Sequence, residues 1–426
     1  MAWHRDVRRP GSCTRVAGSF SLVATAAAFI GFAAGAAEPA VLTERDAIAR
    51  ALARPAFQAA EQGRTQVAES AVTEAATWPN PVLAMEHERV SLPAGSSTEL
   101  STRVFQSFDL SGRRGLRKQA AGTRLQATRQ DARQRRLEII GEVRGSFSEA
   151  LYRWRVREAY GEWLRRIEAA ADIVAKLAKA GEASGYDRRR LQREATAARA
   201  RLAGAQADEA RARESLAGII DQPVALIGAL GGELVPPPVP DLEALRGVLT
   251  ERPDLASLEA QAQAFDQERL AYERAWIPDL TLGVGAKHVD EQGATDTGLI
   301  LGFALPLPLF ERGQAGRQRA QAQAQMLRAE SALSLTRAEA ELRGAWRQAD
   351  ALHRAADDFR GQTLVDSREL TRIAEAAYRG GEAGVLELLD AYRADLDAHT
   401  TALDLALRAR RARIELDMIA GRDSHD

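Results

Sequence analysis

The sequence predicts a mainly α-helical protein built from two copies of one unit, in which a helix, two β-strands and a long helical hairpin follow one another. Three observations predict this fold: two long stretches without proline, a Trp-Pro segment before each stretch, and short runs of alternating apolar residues between them. The proline-free stretches are residues 94–222 and 309–426. Because proline interrupts helices, its absence over more than a hundred residues favours continuous helix.

Both proline-free stretches are rich in Ala, Arg, Glu, Gln and Leu, which are strong helix formers. Apolar residues recur at alternating three- and four-residue steps, which is the coiled-coil period; they include Leu164, Ile167, Ala171, Val174 and Ala178. Each stretch contains one glycine-rich interruption, Gly181–Gly185 and Gly380–Gly384, which predicts a hairpin tip. A helix from Gly112 to Ala180 would be about 100 Å long, which indicates an extended coiled-coil assembly.

The two copies of the unit can be aligned with each other in the sequence. Pro79 with Pro278, Leu110 with Leu309 and Arg113 with Arg312 share one offset, and the tips align one residue later. The first repeat is predicted over 38–235, with strands at about 82–91 and 99–110 and a helical hairpin at about 112–220. A Pro-rich linker, 236–240, follows. The second repeat is predicted over 241–426, with strands at about 279–289 and 296–306 and a hairpin at about 313–421.

Apolar and polar residues alternate in three of the four predicted strands, and least clearly in the first. In the second strand Leu100, Val104 and Phe108 fall on one face, and Leu299, Leu301 and Phe303 do so in the fourth. About ten residues with one apolar face is typical of membrane strands, although a soluble sheet packed on helices shows the same pattern. Four strands cannot close a barrel, and open edges in lipid cost several kcal/mol per unpaired group. A membrane sheet would therefore join copies from other chains.

The N-terminus has the order of a secretory signal. Four arginines precede an uncharged stretch, 16–37, that ends in small residues before Glu38, as in cleaved export signals. We expect residues 1–37 to be removed, with a retained membrane anchor as the alternative. The only cysteine, Cys13, precedes the apolar stretch, so we expect no lipid attachment after cleavage.

Enzyme motifs are absent from the sequence, which contains no nucleophile elbow, paired-cysteine metal motif or phosphate-binding loop, the patterns that accompany the common catalytic chemistries. The histidines that follow the signal are scattered: His87, His288, His353, His399 and His425. Isolated histidines are poor evidence for a metal site, and none is predicted, nor is a cofactor. His87 and His288 lie in corresponding strands, so a weak metal contact in a pore mouth is the alternative to two polar strand-end residues.

Three segments resemble one known family: Trp78–Glu88 (WPNPVLAMEHE), Glu99–Gly115 (ELSTRVFQSFDLSGRRG) and Tyr378–Ala391 (YRGGEAGVLELLDA). The sequence resembles outer-membrane efflux proteins of the TolC family, and within it the CzcC/CusC-like subunits of tripartite heavy-metal pumps. Two positions depart from that pattern. Arg89 stands where metal-type members usually carry Asn, and Ala383 stands where drug-efflux members often carry Arg.

The resemblance implies a homotrimer with twelve strands in the outer membrane and a periplasmic helical tunnel. It implies two partners, a periplasmic adaptor protein and an inner-membrane, proton-driven pump of the RND type. The expected function is passive export of divalent heavy-metal cations, because the chain has no energy-coupling motif of its own. Drug efflux or type I protein secretion is the alternative within this class. An exported soluble coiled-coil scaffold or adaptor is the alternative outside it.

The resemblance also implies which residues control the channel. By similarity, Glu387 and Asp390 line a periplasmic aperture, while Tyr378 and Asp187 form a latch beside it. Acids near a helix start also complement the helix dipole, which is the simpler interpretation of Glu387. The hairpin tips are expected to contact the adaptor through Gly181, Glu182, Gly381 and Glu382.

Overall fold

The computed structural model describes residues 41–92, 95–181, 184–291 and 293–423. The predicted signal, 1–37, and His425 lie outside these residues. The helices and strands occur in this order: α1 Glu44–Leu52, α2 Pro55–Ala76, β1 Val82–Leu92, β2 Gly95–Phe108, α3 Arg113–Ala180, α4 Gly185–Ile220, α5 Leu242–Val248, α6 Pro253–Glu273, β3 Leu280–Glu291, β4 Ala294–Ala304, α7 Gln314–Gly361, α8 Thr363–Gly380 and α9 Val385–Ile419.

The long helices pack along most of their length. Helix α3 has 68 residues, and α4 and α9 lie against it. Its buried stripe combines coiled-coil spacing with small residues, and contributes Ile140, Val143, Phe147, Leu151, Trp163, Ile167, Ala170 and Val174 to two apolar clusters. Burial of such a stripe, rather than intrinsic propensity, stabilises helices of this length.

The sheet is fully antiparallel and runs in chain order, β1-β2-β3-β4. Strands β1 and β2 form one hairpin, strands β3 and β4 form another, and β2 pairs with β3 across the two repeats. Within the described residues, β1 and β4 each pair on one side only. The sheet therefore has two open edges.

The two faces of the sheet differ in character. The register places on one face large apolar side chains that are 37–79% exposed: Leu83, Met85, Leu100, Val104, Phe108, Leu282, Val284, Leu299, Leu301 and Phe303. The opposite face carries mostly charged, polar or small residues: Glu86, Glu88, Glu99, Ser101, Arg103, Gly283, Gly285, Lys287, Asp296 and Gly302. We call them the apolar face and, because the resemblance implies that it would line a pore, the channel face. An apolar face this exposed is typical of a sheet in contact with lipid.

The sequence predicts one unbroken helix in the first arm of the second hairpin, but the structure shows a break in this arm. The helix breaks at Gln362, which has φ -111° and ψ -72°, so that α7 and α8 replace one helix. Gly361 precedes the break, and glycine is a weak helix former. The first hairpin has no such break, because α3 runs unbroken to Gly181.

The start of each hairpin also corrects the alignment of the repeats. Gly112 and Gly313 are the residues immediately before α3 and α7, and both have positive φ. These two glycines are structurally equivalent, and the offset between them is larger than the one that aligns Arg113 with Arg312. That arginine match is therefore not a structural equivalence. The connection that follows β4 is longer than the one that follows β2.

A buried ionic network joins α1, α3, α9 and the Pro-rich linker. Asp417, with no exposed surface, accepts hydrogen bonds from Arg144 (3.0 Å) and Arg413 (3.1 Å). Arg144 also binds Glu44, at 3.2 Å, and Arg413 donates to the carbonyl oxygen of Pro238, at 3.1 Å. The network ties the two repeats together where the linker crosses them.

None of the helices in the described part of the chain is long and apolar enough to cross a membrane.

Candidate channel face and helix tips

Both hairpin tips turn through glycine. Gly181 ends α3 with φ 82° and Gly381 ends α8 with φ 75°. Glycine adopts this left-handed conformation without strain. At the second tip the N–H of Glu382 donates to the carbonyl of Ala377, at 2.9 Å, which closes a Schellman motif. Glu182, in the first tip, lies outside the described residues. The second tip is thus a tight turn, and Gly181, Gly381 and Glu382 are exposed at the two helix ends.

Asp187 and Tyr378 lie beside the two hairpin tips, one on each hairpin. Asp187 is in the first turn of α4, where its N–H donates to Ser184 Oγ at 3.2 Å. Tyr378 is half-buried in the last turn of α8. Burial raises the pKa of the Tyr378 phenol, and the negative charge of Asp187 raises it further. The two residues therefore interact through charge across the two hairpins, and their role as a latch stays a prediction.

Glu387 and Asp390 lie on the exposed side of α9, opposite the buried Leu388 and Leu389. The Glu387 carboxylate accepts a hydrogen bond from the N–H of Gly384, at 3.1 Å, and so caps the start of α9. Asp390 lies beyond the first turn and is 3.7 Å from Arg393. The two carboxylates therefore share a face, but Glu387 also has a structural role.

A buried cluster above the tips was not predicted from the sequence. Asp395 is 6% exposed and accepts hydrogen bonds from Arg166 of α3, at 2.8 Å, and from Ser367 of α8, at 3.3 Å. One turn later on α9, His399 Nδ1 lies 2.9 Å from the Asp395 carbonyl oxygen, and its Nε2 lies 3.4 Å from Arg368. The cluster holds α3, α8 and α9 together.

The pKa values of His399 and Asp395 in this cluster are shifted in opposite directions. The hydrogen bond to Asp395 raises the pKa of the His399 imidazole, although burial opposes it. Burial alone would raise the pKa of Asp395, but the bonds and charges of His399 and Arg166 outweigh it and lower that pKa. The i, i+4 spacing of Asp395 and His399 was visible in the sequence. Arg166, which lies in the other repeat, could not be found in that way.

The channel face carries two ion pairs that cross between strands. Arg103 of β2 binds Glu86 of β1, and Lys287 of β3 binds Glu99 of β2. The remaining carboxylates on this face include Glu88, which the register places directly opposite Glu99. Carboxylates outnumber cations on the face. In the described part of the chain no group of three or more His, Cys, Asp and Glu side chains is placed to hold a metal ion.

Comparisons with known proteins point to one family. Residues 244–422 match the sequence profile described as outer membrane efflux protein. The chain is 27% identical, over 367 residues, to the cobalt-zinc-cadmium resistance protein CzcC of Cupriavidus metallidurans; the match covers 83% of this chain and 84% of that protein. It is 23% identical, over 247 residues, to the nickel-cobalt-cadmium resistance protein NccC of Alcaligenes xylosoxydans xylosoxydans, covering 57% and 55%.

Solved structures share the fold of nearly the whole chain. The outer membrane protein VceC of Vibrio cholerae is similar with a TM-score of 0.68 at 18% identity, covering 89% of this chain and 96% of that one. The transmembrane channel CusC is similar with the same score and identity, covering 89% and 92%. The predicted TolC-like fold of the protomer, mainly α with a four-stranded β-sheet, is confirmed. The profile match lies in the second repeat, and the first repeat has the same architecture. The chain is therefore similar to outer membrane efflux proteins, in sequence over residues 244–422 and in fold over nearly its whole length.

Proposed function

We propose that the chain is the outer-membrane channel subunit of a tripartite pump that exports divalent heavy-metal cations. The single observation that carries the proposal is the sheet, which has two open edges, one exposed apolar face and one charged face. Such a sheet is stable in lipid only when its edges are paired. Three copies would supply twelve strands and close a barrel around the channel faces.

The helices would continue this barrel as a tunnel into the periplasm. The exposed tips at Gly181 and Gly381 would meet the periplasmic adaptor, and an RND-type pump in the inner membrane would supply the energy. The chain itself acts as a passive, water-filled conduit and catalyses no reaction. A soluble scaffold would not need the exposed apolar face.

Heavy metals are the substrate class that two observations favour. The relatives CzcC and NccC are described as resistance proteins for divalent metals. On the channel face, the carboxylates of Glu86, Glu88, Glu99 and Asp296 outnumber the cations Arg103 and Lys287, which favours passage of cations. Drug efflux or protein secretion remains the second candidate, because outer-membrane channels of this fold are similar irrespective of cargo.

Deletion of the gene tests the function. We expect cells without the protein to accumulate cobalt, zinc and cadmium several-fold above wild type, with export restored by the full chain. A chain that lacks residues 1–37 is the matched control, because we expect it not to reach the outer membrane. Unchanged metal export with lost export of dyes or of a secreted protein would contradict the metal assignment.

Cation block tests the aperture. In planar bilayers we expect multivalent cations on the periplasmic side to block the channel, because three copies of Glu387 and Asp390 would form a ring of six carboxylates. The double variant Glu387→Gln with Asp390→Asn should relieve the block. Gln at 387 keeps a side-chain oxygen for the helix cap, so the variant removes charge without removing the cap.

Asp397→Asn is the control for this experiment. Asp397 is exposed on the same helix, two turns beyond Asp390, and lies outside the predicted aperture. We expect multivalent cations to block the Asp397→Asn channel as strongly as they block the wild-type channel. A block that persists in the double variant, or that Asp397→Asn relieves equally, would place the constriction elsewhere.

A further inference from the structure

The two histidines of the sheet lie on its apolar face, not on the channel face. The register aligns His87 of β1, Leu100 of β2, His288 of β3 and Thr297 of β4 in one row across the sheet. Both histidines are exposed, and Leu100, between them, belongs to the apolar face. They are two strand spacings, or about 10 Å, apart. This register does not support a metal contact in the pore mouth by the pair.

The histidine row is followed by a polar one. Arg89, Thr98, Asp290 and Thr295 form the next row on the same face, towards the β1–β2 and β3–β4 turns. Arg89 is exposed, and neither its side chain nor that of His87 has a hydrogen bond or ion pair among the described residues. The imidazole of His288 has one contact, from Nδ1 to Thr297 Oγ1 at 3.1 Å. Its Nε2 has no hydrogen-bond partner among the described residues.

The height of these rows follows from the strand geometry. Leu280 begins β3, and His288 lies eight residues further on, about 27 Å along the strand at about 3.4 Å per residue. With a strand tilt of about 40°, this is about 20 Å along the membrane normal, close to the outer limit of an apolar band about 25 Å tall. The helices leave the other end of the sheet, so the histidine row faces the outer leaflet.

We propose that His87, Arg89 and His288 bind the phosphate groups of a phosphorylated lipid of the outer leaflet. This inference rests on the proposed function, because it requires the apolar face to be in the outer membrane. Arg89 and the two imidazoles supply N–H donors at the level where lipid headgroups begin. The apolar face below them supplies the surface for the acyl chains.

The combination selects a lipid over free phosphate. A free anion would use Arg89 and the two imidazoles alone, whereas a lipid phosphate would also be held by its acyl chains, which contact Leu100, Val284 and Leu299 on the apolar face. Asp290 lies on β3, two residues beyond His288 on the same face, but two strands away from Arg89, so the β1 side of the site is the cationic side. Charged hydrogen bonds from guanidinium to phosphate are the strong element of such a site.

Native mass spectrometry of the purified full-length assembly tests the proposal. The probes are a lipid A with two phosphates, its fully dephosphorylated counterpart and inorganic phosphate. We expect the phosphorylated form to bind about tenfold more tightly than the dephosphorylated form, which is the size of one or two charge-assisted hydrogen bonds. The triple variant His87→Gln, Arg89→Gln, His288→Gln should lose that preference.

Lys287→Gln is the matched control, since Lys287 precedes His288 but lies on the channel face. It should keep the preference. The proposal is overturned if the triple variant keeps the preference for phosphorylated lipid A, or if Lys287→Gln loses this preference as well. It is also overturned if inorganic phosphate displaces the lipid at a concentration equal to that of the lipid. If the triple variant fails to assemble, the single variant Arg89→Gln replaces it in the binding experiment. Unchanged single-channel conductance of the triple variant would show that the proposed function stands even where lipid binding fails.

Discussion

Asp417→Ala is expected to lower the free energy of unfolding by about 3–5 kcal/mol, which is the range for removing one member of a buried ion pair. The carboxylate of Asp417 is fully buried and binds two buried guanidinium groups, Arg144 and Arg413. Its loss leaves Arg413 with backbone carbonyl oxygens alone and Arg144 with Glu44 alone. Both cations would then be buried without adequate compensation.

Urea unfolding of the detergent-solubilised protein, followed by circular dichroism, measures this change. Glu415→Ala is the control, because Glu415 is exposed on α9 and precedes Asp417 by two positions. Substitutions at exposed positions usually change the free energy of unfolding by about 0.5 kcal/mol or less. The two variants remove one carboxylate each from the same helix. If they are equally stable, the ionic network does not hold the repeats together.

Gly285→Ala is expected to abolish the folded, outer-membrane form of the protein. A Cβ atom at Gly285 would lie 2.0 Å from the backbone oxygen of Thr102 and 2.7 Å from the Cα of Arg103. These are backbone atoms of the paired strand β2, so no side-chain rotation relieves the overlap. The β2–β3 pairing is the one that joins the two repeats, and its separation would divide the sheet.

The amount of heat-resistant protein in outer-membrane fractions, judged by its migration on semi-native gels, checks this expectation. Gly298→Ala is the matched control. Gly298 lies on the channel face of β4, where an added Cβ would meet no atom within 4 Å. Wild-type levels of both variants would show that β2 and β3 can move apart without loss of the sheet.

Local signals make much of the fold predictable. The sequence predicts helix α3 from Gly112 to Ala180, and the helix spans Arg113–Ala180, because glycine marks both ends and no proline lies between them. Strand β2 is predicted to begin at residue 99 but begins at Gly95. Residues 95–98 are small and polar, and only the backbone pairing with β1 makes them a strand, so alternation of side chains could not reveal them.

The contacts of the candidate site are less predictable. Helix α9 begins at Val385, directly after the predicted tip, and this start places Glu387 at the position where its carboxylate caps the helix. The positions of Asp187 and Tyr378 depend on how the hairpins of the two repeats meet. The partners of Asp417 and Asp395 come from other helices, and no spacing in the sequence reports such distances.

The central pairing of the sheet has a consequence for the order of folding. Strands β2 and β3 are neighbours in space, but residues 109–279 lie between them in the chain. A hairpin such as β1–β2 or β3–β4 forms within about 1–10 μs, whereas pairing across a long intervening segment is much slower. Each repeat can therefore complete its hairpin while the other is still being exported. We expect the junction of β2 with β3, in the middle of the finished sheet, to be the last part of the protomer to form.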